Sequence, residues 1–385
     1  MPALTAVAPF TRPSTPVSQC FHKLRQTDLA SRTDLVAATG LSQPTVTRAV
    51  TTLIEAGLVR PRNDKRQIKG RGRPTIPIEM VDQPVVFAGI AVGTSETYFA
   101  IYDLRGRTLR DISLDINVAE FDQNSFLEHL AAGLHRITTG LKRPLAHVGV
   151  TTSGYVSPDG IVNAPNLGWH DVDFAGRLNY YFSVPVTIAG AVPAILGSEM
   201  QHTEPRPKDE PRKRQLALFA DDSLSAALSD PEGVRQVDAL PAADGGEPGG
   251  ERPENTLITQ GVIERARERG ARGETSADGV AAAARRRGGR AVLDERARLL
   301  GEISAQLIDE HRAESLVLAG SAFTEDKRAR PVFAESVRGA LGREIELRLI
   351  PTHAEIVTSI ARAVALDAPI KDPLAYAAPI PHDVN

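Results

Sequence analysis

The sequence predicts an α/β protein with an N-terminal winged helix-turn-helix and a larger body of alternating strands and helices. Three observations carry this. Ser31 to Glu79 has the punctuation of a short helix, a glycine turn, a second helix and a basic, glycine-broken wing. From Val85 onward, apolar runs of strand length alternate with helical periodicity. Positive charge is local: the 385 residues carry a net charge of −3, yet Arg60, Arg62, Lys65, Arg66, Lys69, Arg71 and Arg73 crowd one short stretch against Asp64.

The head reads in order. Residues 1–13 are expected to be a flexible tail and 14–80 the DNA-binding domain. In the first helix, over 14–27, Ser14 is the expected cap and Pro16 fits the first turn. Val17, Cys20, Phe21 and Leu24 form its apolar stripe. Ser31-Arg32-Thr33-Asp34 opens the second helix as a capping box, a hydroxyl followed three residues later by a carboxylate. Gly40 makes the turn, because glycine tolerates the positive φ that ends a helix. Ser42 caps the third helix, Pro44 is tolerated in its first turn, and Gly57 ends it. Val46, Val50, Leu53 and Ile54 share one buried stripe, so Pro44, Thr45, Arg48, Thr51 and Thr52 point the other way.

That geometry places a small polar face in a major groove. The candidate DNA contacts on the helix are Ser42, Gln43, Pro44, Thr45, Thr47 and Arg48. Arg48 has the fork for a bidentate contact to guanine, and Gln43 can read adenine. Thr45 and Thr47 suit phosphates or a thymine methyl. In the wing, Lys69, Arg71 and Arg73 are the candidates. Gly70-Arg71-Gly72-Arg73-Pro74 is slim enough for a narrow minor groove, where the potential is most negative. An isolated charge run is ordinarily a solvated linker. Its place directly after a helix-turn-helix argues for phosphate contacts.

In the body, strands are predicted at Val85–Val92, Tyr98–Asp103, Thr108–Ile116, Leu145–Thr152, Pro185–Ala189, Leu216–Ala220 and Leu316–Ala319, with a helix over Phe121–Leu141. His202–Arg214 and Ser229–Asn255 read as surface loops, the second disordered, since neither can bury enough apolar surface to offset its ordering entropy. A single cysteine, Cys20, excludes an internal disulfide and a multi-cysteine zinc site. There is no run of 18 apolar residues and no signal-peptide pattern, so a cytoplasmic, nucleoid-associated protein with no membrane partner is expected.

Two further segments carry a family resemblance. Val148-Gly149-Val150-Thr151-Thr152-Ser153-Gly154-Tyr155-Val156 with Asp159-Gly160, and Ala164-Pro165-Asn166-Leu167-Gly168-Trp169, resemble the central strand-and-turn and the sugar-cleft segment of ROK proteins. That family comprises bacterial sugar kinases and the sugar-responsive repressors built from them. The resemblance implies an actin-like, ribonuclease-H-like, two-lobed ATPase fold. Its first lobe spans 81–200 and its second 201–352, with the loop 229–255. A C-terminal helix over 353–385 returns to the first lobe and ends in a tail. Asn166 and Trp169 become the candidate effector contacts.

The same resemblance implies that the kinase motifs are lost. The phosphate loop that follows the opening strand begins with Ala91 where the family has Asp. The Asn-Asp segment that supplies the catalytic base is matched by Gly190-Ala191. The glycine-rich second phosphate loop is matched by Ala220-Asp221-Asp222-Ser223, which sets carboxylates against anionic phosphates. The zinc-binding cysteines are absent. Gly320 resembles the glycine turn on the adenosine side.

The reading is a sequence-specific transcriptional regulator, by default a repressor, with a catalytically dead body used for dimerisation and effector sensing. It implies a double-stranded, palindromic DNA operator, a homodimer or tetramer, a sugar or other small-molecule effector, and no cofactor, metal or catalytic residue. Two rivals are an ATP-dependent sugar kinase with a regulatory DNA-binding head, and a non-specific architectural DNA binder that relies on the wing.

Overall fold

The computed structural model describes residues 9–65, 75–202, 213–237, 240, 257–269 and 287–377. Three helices open the head: α1 (Pro16–Arg25), α2 (Arg32–Thr39) and α3 (Gln43–Glu55). Thr15, not Ser14, caps α1, because only Thr15 has a partner at the right spacing. Ser18 N donates to Thr15 Oγ1 at 3.1 Å and Thr15 N donates to Ser18 Oγ at 3.2 Å. Ser31 and Asp34 form the box at α2, Ser31 N donating to Asp34 Oδ2 at 2.8 Å, and Gly40 follows at φ 66°. A two-stranded ribbon, β1 (Val59–Pro61) with β2 (Ile78–Met80), completes the winged domain.

The body holds two five-stranded sheets with the same strand order. In the first, β3 (Val86–Val92), β4 (Glu96–Tyr102), β5 (Thr108–Asp115), β6 (Leu145–Thr152) and β10 (Val186–Gly190) run in the order β10-β6-β3-β4-β5. In the second, β11 (Gln215–Ala220), β12 (Leu224–Ser229), β13 (Val234–Gln236), β14 (Ser315–Ala319) and β15 (Glu346–Leu349) run β13-β12-β11-β14-β15. Each is an antiparallel meander whose first strand is joined by two parallel strands. Between β6 and β10 lies a small antiparallel sheet: β7 (Tyr155–Val156), β8 (Ile161–Ala164) and β9 (Trp169–Asp173). Helix α4 (Gln123–Thr138) covers the first sheet with Phe126, Leu127, Leu130, Leu134 and Ile137. Its start is set by Asp122, which accepts from the backbone of Asn124 and Ser125.

Two expectations of flexibility fail. Residues 9–13 of the expected tail are built into the body. Phe10 is fully buried, and its N–H donates to the buried Asp367 carboxylate at 3.0 Å. Thr11 bridges Gly233, and the Arg12 side chain donates to Asp230 O and Ser229 Oγ. The apolar Phe10 is worth burying, and the strap satisfies its own backbone on the 230–234 turn. Part of the expected disordered loop is therefore ordered too: β13 pairs with β12 over Val234–Gln236. Residues 1–8 of the expected tail, 241–255 of the expected disordered loop and 203–212 of the other loop lie outside the described residues.

The C-terminal helix, His353–Lys371, lies against β3 and β6. The approach is backbone to backbone. A Cβ at Gly89 would sit 2.2 Å from Ala361 O, and one at Gly149 would sit 2.4 Å from the Val364 carbonyl. One core runs on through this helix into the head: Cys20, Phe21, Leu24, Val50 and Leu53 belong to the same apolar cluster as Ala361, Val364 and Leu366. Substituting Gly149→Ala should destabilise the protein by roughly 1–3 kcal/mol, because backbone rather than a movable side chain must give way. Urea unfolding checks this; an unchanged midpoint would contradict the packing argument.

Candidate nucleic-acid interface

Helix α3 is positioned by local chemistry on one side and by core burial on the other. Ser42 Oγ accepts from Thr45 N at 3.3 Å and so fixes the first turn. Val46, Ala49, Val50 and Leu53 are buried against α1 and α2. The opposite face presents Ser42, Gln43, Pro44, Thr47, Arg48 and Thr51 to solvent, with Thr45 half-buried beside them. Gln43 and Arg48 are the long polar side chains of its first two turns.

The threonines are partly committed. Thr47 Oγ1 donates to Gln43 O at 2.9 Å, Thr51 to Thr47 O at 2.9 Å, and Thr52 to Arg48 O at 3.2 Å. Each hydroxyl hydrogen is turned into the helix, which leaves methyl groups and oxygen lone pairs outward. Thr45 Oγ1 lies 2.8 Å from Ser42 Oγ. Thr47 thus suits a thymine methyl better than a donated bond to phosphate.

The wing leaves through β1 and returns through β2, with Arg60 opposite Glu79. Lys69, Arg71 and Arg73 fall at 66–74, outside the described residues. At the base, the charge balance differs from the sequence count. Glu79 accepts from Arg60 Nε at 2.6 Å and from Arg62 Nη1 at 2.5 Å, and Asp64 accepts from Arg62 Nη2 at 2.6 Å. The Arg62 hydrogen bond holds the Asp64 carboxyl at about 2, so the pair stays charged at any pH near neutrality. Arg60 and Arg62 are therefore directed toward carboxylates, and Glu79 is a partner that counting along the chain missed. Reading the hairpin register would have found it.

The body cleft is described by three contacts. Ser153 and Asn166 hydrogen-bond side chain to side chain, at 3.0 Å from Asn166 Nδ2 to Ser153 Oγ. Trp169 corrects the pairing expected of it: it is 2 % exposed and packs between Phe126 and Phe174 at centroid distances of 5.3 and 4.9 Å. The strand does not alternate there: Trp169 and Val172 are buried while His170 and Asp171 between them are exposed, Asp171 at a positive φ of 49°. Gln236 reaches across from the second lobe, donating to Gly154 O and Ser225 Oγ, both at 3.1 Å. Its Oε1 lies 2.9 Å from where a Cβ would stand at Gly190, the residue before Ala191.

On the other side of the cleft, Asp221 accepts from Ser321 N at 3.0 Å and Ser321 Oγ at 2.7 Å. It therefore caps the turn that follows Gly320. Asp222 bonds Thr94 on the first lobe, and burial followed by the charge of Asp221 raises its pKa. Among the described residues, no three His, Cys, Asp or Glu side chains converge on a metal-sized site. Among the described residues no helix is long and apolar enough to cross a membrane.

Comparison with known proteins agrees with the two-part architecture. Residues 24–67 match the MarR family and residues 87–206 the ROK family. The chain is 29 % identical over 379 residues to transcriptional regulator Mb0495 of Mycobacterium bovis and, equally, to transcriptional regulator Rv0485 of Mycobacterium tuberculosis. Each alignment covers 92 % of this chain and 85 % of the relative. Among solved structures, a ROK family transcriptional regulator described as a homolog of the E. coli MLC protein superposes with a TM-score of 0.68 at 17 % identity. That superposition covers 93 % of this chain and 99 % of the other. A ROK family glucokinase from Streptomyces griseus superposes with a TM-score of 0.58 at 16 % identity, over 74 % of this chain and 99 % of the other. These two superpositions establish the fold.

If Glu79 neutralises the wing base, Glu79→Gln should raise affinity for duplex DNA and steepen its salt dependence by up to about two released counterions. Titrations across a salt series measure the slope; an unchanged slope would place Arg60 and Arg62 away from DNA.

Proposed function

We propose that this ROK family transcriptional regulator, with its MarR-type winged helix-turn-helix head, reads a two-fold symmetric operator as a homodimer. The observation that carries the reading is α3 itself: a capped helix, buried on one side, that presents Gln43 and Arg48 on the other beside a basic wing. Arg48 contacts guanine and Gln43 adenine, while Ser42, Pro44, Thr45 and Thr47 fit the helix to the groove. Lys69, Arg71 and Arg73 supply phosphate and minor-groove contacts. A symmetric protein on a palindromic site pairs each head with one half-site. Occlusion of a promoter is the mechanism, exerted at the nucleoid.

We further propose that the body has no kinase activity. The position matched to the base is Ala191, which accepts no proton, and Gln236 from the second lobe stands over the neighbouring Gly190. At the position matched to the second phosphate loop stands the Asp221 carboxylate, hydrogen-bonded to Ser321 N and Oγ, which sets negative charge against phosphate. The body then serves dimerisation and effector sensing, with Asn166 the residue placed to meet a sugar hydroxyl.

Capture of genomic fragments by the purified protein at physiological salt tests the central claim: a few enriched fragments should share an inverted repeat. Arg48→Ala should lose sequence preference, about 1–3 kcal/mol at one base position, while Arg71→Ala with Arg73→Ala should lower affinity uniformly. Enrichment without a motif, or preference intact in Arg48→Ala, would sink the reading in favour of an architectural binder. A coupled assay over a panel of hexoses should show no ADP production. Turnover abolished by substituting a cleft residue would overturn the pseudokinase proposal.

A further inference from the structure

The wing base, the end of α1 and the β4–β5 turn of the body enclose a cavity of about 720 Å³. Its size is that of a small-molecule site. Five arginines line it, Arg25, Arg60 and Arg62 from the head with Arg105 and Arg107 from the body, against three acids. The acids are shared: Glu79 serves both Arg60 and Arg62, and Asp82 serves both Arg105 and Arg107.

Arg25 is the unbalanced group. Its hydrogen bonds go to two neutral carbonyls, Arg105 O at 3.3 Å and Gln201 O at 3.1 Å, and its Nε is sealed from solvent without a partner. Arg362 stands nearby in the same condition, its buried Nε also unpartnered. Both side chains close on Gly106: its notional Cβ would lie 3.1 Å from Arg25 Nη1 and 3.8 Å from Arg362 Cδ. Burial, and then the like charge of Arg362, push the Arg25 guanidinium down to about 10. Asp103 pulls the other way, but its carboxylate is bonded by Arg107 Nε at 2.5 Å, so Arg25 enters the cavity with no carboxylate hydrogen-bonded to it.

We propose that this cleft binds a small polyanion, a metabolite carrying phosphate or several carboxylate groups, which ties Arg25 of the head to Arg105 of the body. Guanidinium forks match either oxyanion in bidentate fashion, and the polar, charged lining excludes an apolar ligand. The site is separate from the sugar cleft around Asn166. Its occupant would set the angle between the DNA-binding head and the body. That consequence rests on the regulator reading, whereas the binding itself does not.

The test uses the full-length protein, titrated calorimetrically at constant ionic strength with inorganic phosphate, glucose 6-phosphate and citrate, with glucose as the uncharged control. At least one anion should bind once per chain, about tenfold weaker in Arg105→Gln and in Arg25→Gln, as expected for loss of a charge-assisted contact. Phosphate-bearing probes alone binding assigns a phosphoryl ligand, and citrate alone a polycarboxylate; either supports the site. If Arg25→Gln fails to fold, the partly exposed Arg105→Gln still decides. Absence of binding by all three anions overturns the proposal, as does unchanged affinity in a folded Arg105→Gln. Weakened DNA binding by Arg105→Gln with no anion bound would assign the cleft to backbone phosphate and overturn it equally.

Discussion

The C-terminal helix rests its backbone directly on the first sheet, and the rest of the molecule is arranged around that contact. Gly89 and Gly149 make it possible, since any side chain there would occupy the space of the helix backbone. The same helix then organises what surrounds it. Ala363 O accepts from the buried Gln201, whose own carbonyl accepts from Arg25 and Gln26 of α1. Asp367 accepts from Phe10 N and pairs with Lys371. Burial raises the Asp367 pKa against the pull of Lys371, so removing either partner would leave a charge or a donor stranded in the core. Head, strap and first lobe are therefore folded as one unit rather than strung on a linker.

Electrostatics is used differently in the two halves. At the wing base, carboxylates hold Arg60 and Arg62, so under the proposed reading association with DNA exchanges one set of oxygens for another. The net gain depends on geometry and salt more than on the number of positive residues. In the body, the Asp221 carboxylate takes up the N–H and hydroxyl donors of Ser321. Both are internal competitors, and both make charge counts along the chain a poor guide to what is available at the surface.

Features set by near neighbours in sequence were legible: the Ser31–Asp34 box, the Ser42 cap, the glycine turns and the strands of the first sheet. Their causes lie within a few residues. The Ser14 reading shows the resolution of that logic, since the cap moved by one position to the residue whose partner, Ser18, is spaced correctly. Phe10 was illegible because its N–H partner is 357 residues away. The identical strand order of the two sheets left no repeat in the sequence, because topology is kept by burial pattern and not by residue identity. Trp169 looked like part of the cleft because it follows Asn166 closely, but its ring is packed between Phe126 and Phe174, partners 43 and 5 residues away in sequence. Most of the exposed face of α3 could be read from periodicity, whereas the ion pairing of the wing base could not.

Tethering of the head at both ends has a mechanical consequence. Chain enters it from the strap fixed by Phe10 and leaves it through Val81–Val85. There Gln83 is buried and donates to Gly57 O at 2.9 Å and Val81 O at 3.2 Å. Together with the core that the head shares with the C-terminal helix, these two attachments hold the head as part of the body rather than as a free domain. In the homodimer proposed above, the distance between the two heads would then be set by the bodies like a fixed caliper, and an operator would be recognised by its helical phase as strictly as by its bases.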